Sequence, residues 1–344
     1  MLTQADLQAM ITDTESEILS VVDAADGPAT RELYDMVRYH MGLDGSSGVS
    51  GKRLRPLLGL LAYASIAGDH VGALPGAAAV ELGHNFSLVH DDIEDRDVER
   101  RHRAALWTVF GVGQAINTGD TLFVLSRLAL HRLSNLGFSD SKVLRLFRLY
   151  DRTCLALCEG QFLDLWGSEH GDRMTVDRYF DMIGRKTAAL IAASIESGAM
   201  LATDDQAVVD AYRRFGWALG LAFQLNDDLL GIWGAEQETG KEPSDLAKRK
   251  RTLPVLYAFE HASPDDHDRL RAIYDREEPT PDDPTPDEVA EARAILDRTG
   301  AGEYTRREAR RLRDEALEAL DAAGVIEGAA RDRLRDIIVG AIRA

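Results

Sequence analysis

Lysine, cysteine and aromatic residues are all scarce in this chain of 344 residues. Six lysines stand against thirty-four arginines, and aromatic residues make up 7% of the sequence. The two cysteines, Cys154 and Cys158, are four residues apart, a spacing that places them on one helix face and makes a disulfide between them unfavourable. A metal site would need further His or Cys ligands close by, so the pair is interpreted as two core thiols.

Long apolar runs and an excess of basic residues are also missing. No stretch of 18 apolar residues occurs, and the initial MLTQADLQAM has neither the basic patch nor the apolar segment of a secretory signal. The formal net charge of -18 argues against generic affinity for nucleic acid or anionic membranes. These absences predict a soluble, cytoplasmic protein without a membrane span. If a protein of this net negative charge binds phosphate groups, it must do so through local cations or a metal ion.

Strand signals are nearly absent, and helical periodicity takes their place. Apolar residues recur at spacings of three and four in segments such as LRPLLGLLAYASIAG and TLFVLSRLALHRLSNLG. The fold class is therefore predicted to be all-α, with one large helical domain over residues 1–344. Helices are expected at about 287–299, 304–323 and 326–342, and the first of them should begin with a capping box formed by Thr285 and Glu288.

Two Asp-Asp pairs follow apolar segments that have the composition of central bundle helices. Asp91-Asp92 follows AAAVELGHNFSLVH and Asp227-Asp228 follows WALGLAFQLN, whereas three other Asp-Asp pairs lie in polar surroundings. Carboxylates in an apolar setting destabilise a fold unless something neutralises them. Asp91 and Asp95 share one helix face, and carboxylate oxygens are ligands that Mg²⁺ prefers. The pattern therefore predicts a magnesium site.

Basic residues are grouped around these carboxylates in the sequence. Five of the six lysines fall in GKRLRP, GRKTAAL, TGKEP and AKRKRTLP, and the basic segment RRHR follows the first aspartate pair. Two carboxylate clusters with separate basic clusters suit two substrates that carry phosphate-rich groups. One group would be bridged to the aspartates by Mg²⁺, and the other would be held directly by lysine and arginine.

An ordered series of motifs runs from about residue 50 to 256: GKRLRP, ELGHNFSLVHDDIED, RRHR, GD, EGQFLDL, GRKTAAL, FQLNDDLLG, TGK, SDL and TLP. In this order the motifs resemble those of the trans-isoprenyl diphosphate synthases, the polyprenyl synthetase family. The resemblance implies a helical bundle of the isoprenoid synthase type with a central active-site cavity. It also implies a homodimer that condenses isopentenyl diphosphate head-to-tail with an allylic diphosphate.

The resemblance assigns a role to each site residue. The first aspartate motif would bind the allylic diphosphate through Mg²⁺ and consists of Asp91, Asp92 and Asp95. The second would hold another Mg²⁺ and consists of Asp227 and Asp228. Isopentenyl diphosphate would be held by Lys52, Arg55, His84 and Arg101. The allylic diphosphate would be contacted by Arg100, Thr187, Gln224, Lys241 and Lys186, the last of these also being counted as catalytic.

The chemistry implied by the family explains why negative and positive charge stand side by side. Mg²⁺ and basic side chains stabilise charge on the departing diphosphate while the allylic C–O bond ionises. The double bond of isopentenyl diphosphate attacks the resulting carbocation, and a proton is then lost. No strong side-chain base is required, so His90 need not be catalytic.

The sequence departs from the family pattern at two places. Gly231 stands where a third aspartate of the second motif is common, so metal binding there would rest on two carboxylates. Ala104-Ala105 follows RRHR in place of the usual Pro-Thr, which would loosen a turn.

Phe86 and Ser87, five and four residues before Asp91, are expected to set the length of the product. A bulky ring followed by a small residue, with no insertion inside DDIED, resembles synthases that make geranylgeranyl diphosphate (C20). Farnesyl (C15) and C25 diphosphates are the alternative products. Plain core packing is the alternative role for Phe86.

Three other functions stay open from the sequence. An HD-type metal phosphohydrolase would explain the dipeptide His90-Asp91 but neither GKRLRP nor the second aspartate pair. A class I terpene cyclase needs one diphosphate site and would leave Lys52, Arg55 and His84 without a role. A non-catalytic partner subunit of a heteromeric synthase would typically lack the aspartate motifs that this chain keeps.

Overall fold

The computed structural model of the protein describes residues 2–45, 51–234, 245–276, 284–325 and 328–341. Helices dominate these residues, which confirms the predicted all-α class. The helices of the first half are α1 (Gln4–Ala25), α2 (Arg31–Met41), α3 (Leu54–Ala67), α4 (Leu74–Glu94), α5 (Leu106–Phe110), α6 (Val112–His131) and α7 (Asp140–Glu169). Those of the second half are α8 (Val176–Ile183), α9 (Ala189–Ala202), α10 (Gln206–Trp233), α11 (Leu253–His261), α12 (Pro264–Tyr274), α13 (Pro286–Arg298), α14 (Ala301–Ala322) and α15 (Ala329–Ala341).

Short irregular pieces connect several of these helices. The segment Gly184–Ala188 between α8 and α9 is π-helical. Turns of 3₁₀ helix occur at Val71–Ala73, Arg132–Leu136 and Gly171–Arg173. A two-stranded antiparallel hairpin, β1 (Glu99–Arg100) and β2 (Arg103–Ala104), follows α4. The sequence gave no signal for this hairpin because strands of two residues are too short to show alternation.

The chain divides into two compact units, each assembled from separate stretches of sequence. Unit 1 contains residues 1–158, 190–216 and 319–336, and unit 2 contains residues 159–189, 217–318 and 337–344. The single domain expected from the sequence stays a prediction.

Helix α4 is the buried helix of unit 1. Nearly every residue from Pro75 to Phe86 is buried, and the helix packs against α6, α3 and α1. A helix that is apolar on all sides belongs in the interior, so its path is fixed by the surrounding packing. Since α4 ends at Glu94, this packing also fixes the position of the first aspartate pair.

The core of unit 2 joins the end of α10 to the helices that follow it. Ile232 of α10 packs with Val255 and Ala258 of α11, and the same cluster includes Leu270 of α12 and Ile295 of α13. Leu246, which lies just before α11, also belongs to this core. The second aspartate pair therefore stands on a helix that is anchored close to its C-terminal end.

The predicted C-terminal helices are confirmed, with boundaries shifted by a few residues. The capping box of α13 is present, since Glu288 N donates to Thr285 Oγ1 (3.3 Å) and Thr285 N donates to Glu288 Oε2 (2.8 Å).

The interpretation of the cysteines as two core thiols is confirmed for Cys154 and wrong for Cys158. Cys154 is buried but Cys158 is exposed, on the same face of α7 as the exposed Leu155 and Phe162.

Among the described residues, no helix combines the length and apolar character that a membrane crossing requires. The cytoplasmic location expected from the sequence stays a prediction.

Candidate active site

The first aspartate cluster lies at the C-terminal end of α4. Asp91 is partly buried, Asp92 is buried and Asp95 is exposed at the C-cap, where its N–H donates to Asp91 O (2.8 Å). The C-terminal end of a helix carries partial negative charge, so three carboxylates there are electrostatically unfavourable by themselves. The arrangement therefore favours the binding of a cation.

The two members of the first Asp-Asp pair have different surroundings. Asp92 Oδ1 accepts hydrogen bonds from Arg100 Nε (2.7 Å) and Nη2, and the carboxylate is 1% exposed. Burial raises the pKa of Asp92, and the hydrogen bonds from Arg100 oppose that rise. Asp92 therefore holds β1 against the end of α4, while Asp91 and Asp95 are the more accessible carboxylates.

The hairpin after α4 places Arg101 by means of a strained turn. Arg101 and His102, which join β1 to β2, have φ values of 53° and 60°. Two-residue hairpin turns with positive φ at both central positions match the twist of the strands, but side chains other than glycine are disfavoured there. Arg103 anchors the turn by stacking on Tyr39, with its guanidinium 3.8 Å from the ring centre. The hairpin is therefore formed although Ala104-Ala105 stands in place of Pro-Thr.

Arg101 packs directly on the glycine that begins GKRLRP. A Cβ at Gly51 would lie 2.8 Å from Arg101 Cζ, so a larger residue there would require the guanidinium to shift. Within the part of the chain that the structure describes, Arg101 Nη1 is buried and has no hydrogen-bond partner. A buried guanidinium donor without a partner is destabilising unless a ligand accepts its hydrogen bond. This donor therefore marks an anion-binding position.

His84 and Arg55 lie beside this position. Arg55 Nη1 is 3.0 Å from His84 Nε2. Burial lowers the pKa of His84 well below its usual value, as do the charges of Arg55, Arg101 and Arg100, so the neutral ring accepts the hydrogen bond from Arg55. The structure thus brings together Arg55, His84, Arg100 and Arg101, whereas Lys52 is exposed at the start of α3.

Arg53, between Lys52 and Arg55, has a structural role that the sequence did not reveal. Its side chain is buried and its φ is 46°. It donates to Glu15 Oε1 (3.1 Å), Glu81 Oε1 (2.8 Å) and Met41 O (2.6 Å). Arg53 therefore ties α1, α2 and α4 to the start of α3.

His40, in the last turn of α2, is a second residue that no motif pointed to. The side chain is buried, and its pKa falls from 6.5 to about 3 because of burial and the positive charges of Arg101, Arg100 and Arg53. The ring is therefore neutral at physiological pH. It packs beside three arginines and adds no further positive charge.

We expect the stability difference between wild type and His40→Gln to depend on pH. Below pH 6.5 the unfolded chain takes up a proton at His40, whereas the folded chain does so only near pH 3, so the contribution of His40 to stability is present above pH 6.5 and is lost as the pH falls. Urea unfolding should show the difference narrowing by about 1.4 kcal/mol per pH unit between about pH 6 and pH 5. The exposed His102→Gln is the control. A constant difference would contradict a neutral His40.

The second aspartate pair, on α10 in unit 2, shows the same division of surroundings as the first. Asp227 is exposed and Asp228 is buried. Asp228 accepts hydrogen bonds from the Tyr179 hydroxyl, from Gln224 Nε2 (3.1 Å) and from Leu253 N (3.1 Å). Burial raises the pKa of Asp228 to about 7 despite these bonds. Asp228 therefore ties α10 to α8 and to the first turn of α11.

A π-helical segment positions Lys186 and Thr187 in unit 2. Lys186 Nζ forms an ion pair with Asp164, and Thr187 Oγ1 donates to Gln224 Oε1 (2.8 Å). A Cβ at Gly160 would lie 2.7 Å from Lys186 Cα, so the glycine of EGQFLDL allows α7 to touch this backbone. Segments of π-helix are frequent at functional sites, and here the extra residue in the turn sets the direction of the two side chains.

Phe86, expected to limit product length, is buried in unit 1 and meets two other rings. It makes edge-to-face contacts with Phe123 of α6 (5.3 Å between ring centres) and with His90 (6.0 Å). Ser87 is partly buried and donates to His84 O (2.9 Å). A Cβ at Gly119 would lie 2.6 Å from His90 Cδ2, so His90 packs closely on α6. Phe123 was not indicated by any motif.

The remaining predicted site residue, Lys241, lies outside the described residues. In the ranges that the structure covers, no three His, Cys, Asp or Glu side chains are grouped closely enough to hold a metal ion by themselves. This agrees with the usual habit of Mg²⁺, which takes one or two carboxylates and completes its shell with water and substrate phosphate. The carboxylates present are therefore of the right chemical kind for Mg²⁺ that binds together with a diphosphate.

Comparison with known proteins gives a consistent result. Residues 33–291 match the polyprenyl synthetase family. Geranylgeranyl diphosphate synthase of Mycobacterium tuberculosis is 39% identical over 326 residues, which are 93% of this chain and 89% of that protein. The (2E,6E)-farnesyl diphosphate synthase of Mycobacterium bovis is 36% identical over 312 residues, or 87% of this chain and 85% of that protein.

A solved structure agrees with these relatives. The crystal structure of geranylgeranyl pyrophosphate synthase from Corynebacterium glutamicum, complexed with isoprenyl diphosphate and magnesium, matches with a TM-score of 0.82 and 25% identity. The match covers 98% of this chain and 99% of that chain. Because the family match spans most of the sequence and a relative at 39% identity covers 93% of it, the chain belongs to the polyprenyl synthetase family, the isoprenyl diphosphate synthases.

Proposed function

We propose that the protein condenses isopentenyl diphosphate with allylic diphosphates and that its main product is geranylgeranyl diphosphate. The observation that most strongly supports this is the pairing of two charge sites on α4. His84, with Arg55 and Arg101, stands seven residues before Asp91, which is two turns or about 10 Å along the helix axis. One helix thus carries a cationic site for one diphosphate and a carboxylate site for a second.

The cationic site would bind isopentenyl diphosphate. The guanidinium groups of Arg55 and Arg101 match phosphate oxygens geometrically, and the buried Arg101 Nη1 would gain the acceptor that it lacks in the protein alone. His84 is neutral and keeps Arg55 oriented through their 3.0 Å contact. Lys52, exposed nearby in sequence, would add a mobile charge that follows the substrate into the site.

The carboxylate site would bind the allylic diphosphate together with Mg²⁺, as the magnesium complex of the Corynebacterium enzyme suggests. When bound, Mg²⁺ would neutralise the charge that builds on the leaving diphosphate. Asp91 and Asp95 are the accessible ligands of the first motif, and Asp227 is the accessible ligand of the second. Asp92 and Asp228 would position these ligands through their own hydrogen bonds, joining the metal shell only if those bonds open.

Lys186, Thr187, Gln224 and Lys241 are proposed to contact the allylic diphosphate, with Arg100 as a further donor. Thr187 Oγ1 donates to Gln224 Oε1, so the amide nitrogen of Gln224 is the atom that would donate to the diphosphate. Lys186 would exchange its partner Asp164 for the diphosphate, a change that keeps a charge-assisted contact at each stage.

The test is incubation of the purified protein with labelled isopentenyl diphosphate, Mg²⁺ and each of dimethylallyl, geranyl and farnesyl diphosphate, followed by chain-length analysis. We expect a C20 product. A C15 product is also compatible with the similarity to a farnesyl diphosphate synthase. A C15 or C25 product would support the proposed condensation but contradict the proposed chain length. A cyclic hydrocarbon would indicate a terpene cyclase, diphosphate release alone a phosphohydrolase, and activity only with added partner a non-catalytic subunit.

Replacing Phe86 with alanine is expected to lengthen the main product by at least one five-carbon unit. The ring and its partner Phe123 close the space one turn before Asp91, and truncation leaves a cavity that a longer chain can enter. Because such truncations cost about 3–5 kcal/mol of stability, Phe86→Leu should be assayed beside it. Phe138→Ala, which truncates a partly buried ring beside Gly72 and not next to the aspartates, is the control. An unchanged product distribution would assign Phe86 to core packing.

A homodimer is also proposed, and an exposed apolar face supports it. Val112, Ile116, Val124 and Leu128 lie on one side of α6 and are 44% to 53% exposed. Contiguous exposed apolar surface of this kind commonly marks a protein interface. A second copy of the chain is the proposed occupant. Sedimentation equilibrium should then give twice the chain mass of 37.9 kDa, and a monomeric mass would refute the dimer.

A further inference from the structure

Helices α4 and α6 run in opposite directions, and their contacts form successive layers that lead away from the first aspartate pair. His90 of α4 packs on Gly119 of α6. One turn farther from the aspartates, Phe86 of α4 meets Phe123 of α6, with 5.3 Å between the ring centres. The side chains in the layer after these two rings are therefore the ones that a product tail would reach if it passed the rings.

Tyr150 of α7 fills that next layer. Gly83 and Ser126 each lie three residues beyond the rings, on the same helix faces and about 4.5 Å farther along the axes. A Cβ at Gly83 would lie 2.9 Å from Tyr150 Cζ, so a larger residue there would require the phenol ring to shift. The Tyr150 hydroxyl donates to Ser126 Oγ (2.5 Å), and both side chains are buried. The end of the phenol ring is thus held between α4 and α6.

The hydroxyl of Tyr150 is anchored to the backbone of the helix that carries Phe123. Ser126 Oγ donates to Phe123 O (2.5 Å), so two consecutive hydrogen bonds connect Tyr150 to α6 through Ser126. Burial raises the pKa of Tyr150 well above its usual value, so the hydroxyl keeps the proton that it donates. An alkyl chain that pushed this ring aside would leave buried hydroxyl groups without a partner, which is unfavourable. Tyr150 should therefore resist displacement more than an apolar ring does.

We propose that Tyr150, held by Ser126, is a second stop for the growing prenyl chain, beyond the layer of Phe86 and Phe123. The proposal rests on the proposed function, since it concerns the chain length of the product of that reaction. The spacing of the two layers, about 4.5 Å, is comparable to the length that one five-carbon unit adds to an extended chain. Removal of the Phe86 ring should therefore admit one further unit, from C20 to C25, and Tyr150 should prevent the next.

The test compares the chain lengths of the products in the Phe86→Ala background, with farnesyl or geranylgeranyl diphosphate as the primer. Phe86→Ala alone should stop at C25. Adding Tyr150→Phe keeps the ring and removes the hydrogen bond to Ser126, so the ratio of longer products to C25 should rise about tenfold or more. Adding Tyr150→Leu instead also removes most of the ring and should raise the ratio further. Tyr150→Phe decides the test where Tyr150→Leu does not fold.

Tyr63→Phe is the matched control in the same background. Tyr63 lies on α3, and its ring packs on Gly72 as that of Tyr150 packs on Gly83, with 2.8 Å from Tyr63 Cζ to the Cβ position of Gly72. Loss of the Tyr63 hydroxyl should leave the product ratio of Phe86→Ala unchanged. Tyr150→Phe without Phe86→Ala should still give C20, because the intact Phe86 ring stops the chain first.

Products beyond C25 from Phe86→Ala alone would overturn the inference, because the chain would then pass Tyr150 freely. The inference is equally overturned if Tyr150→Phe and Tyr150→Leu leave the ratio unchanged, or if Phe86→Ala still gives C20. In each of these cases elongation by wild type still supports the proposed function. If wild type elongates no primer, the proposed function fails and the inference fails with it.

Discussion

Asp91→Ala is expected to lower turnover by about a thousandfold or more, with little loss of stability. Asp91 stands at the negative end of α4 and is only partly buried, and its carboxylate is proposed to bind the Mg²⁺ that would hold the leaving diphosphate. A thousandfold corresponds to about 4 kcal/mol of lost transition-state stabilisation. Because the interaction strengthens as the C–O bond breaks, kcat should fall more than KM for the allylic diphosphate rises.

Asp92→Ala should behave differently although it alters the neighbouring residue. Asp92 is the buried partner of Arg100, so its removal leaves the guanidinium with only the longer ion pair to Asp97 (4.0 Å) and loosens the hairpin that carries Arg101. We expect both a loss of stability in urea unfolding and a higher KM for isopentenyl diphosphate. Asp265→Ala, which alters the exposed first member of an Asp-Asp pair at the start of α12, is the control for both variants. Equal effects of Asp91→Ala and Asp92→Ala on stability and KM would contradict this division of roles.

The helical class and the capped helix α13 could be predicted because they depend on local sequence. Periodicity shows within one helix, and the Thr285–Glu288 capping box spans three residues. The functional motifs were also visible, since GKRLRP and DDIED are short and their order along the chain is specific. What these segments could not show is which of their side chains face the site. Adjacent side chains on a helix point in different directions. Which of them is buried depends on contacts with residues that are distant in sequence.

The aspartate pairs show this limit clearly. Asp228 is turned inward by Tyr179, which is 49 residues away in sequence, and by Leu253, which is 25 residues away. No feature of FQLNDDLLG distinguishes Asp227 from Asp228. A helix-period analysis extended back along α10 could have placed Asp228 on the buried side, since the buried Leu221 and Leu225 share that face.

Arg53→Met is expected to lower the free energy of unfolding by about 3–5 kcal/mol. The guanidinium is fully buried and bonds Glu15, Glu81 and Met41 O, so its removal leaves the buried carboxylate of Glu81 without a countercharge. Asn85 Nδ2, which donates to Glu81 Oε1 (3.0 Å), cannot replace that charge. Urea unfolding measures the loss. Arg213→Met, in a half-exposed pair with Asp210 (3.6 Å), should cost no more than about 1 kcal/mol.

Adding Glu81→Gln to Arg53→Met separates the role of the ion pair in stability from its role in the site. The double variant no longer buries an unpaired charge, so part of the lost stability should return. The start of α3 would still lack the three bonds that fix Gly51 and Arg55, and KM for isopentenyl diphosphate should therefore stay high. Recovery of KM together with stability would show that Arg53 acts only through the charge of Glu81. A high KM in a restabilised protein would show instead that Arg53 positions the proposed cationic site. Such a role would explain why a buried arginine stands between Lys52 and Arg55, which are proposed to bind substrate.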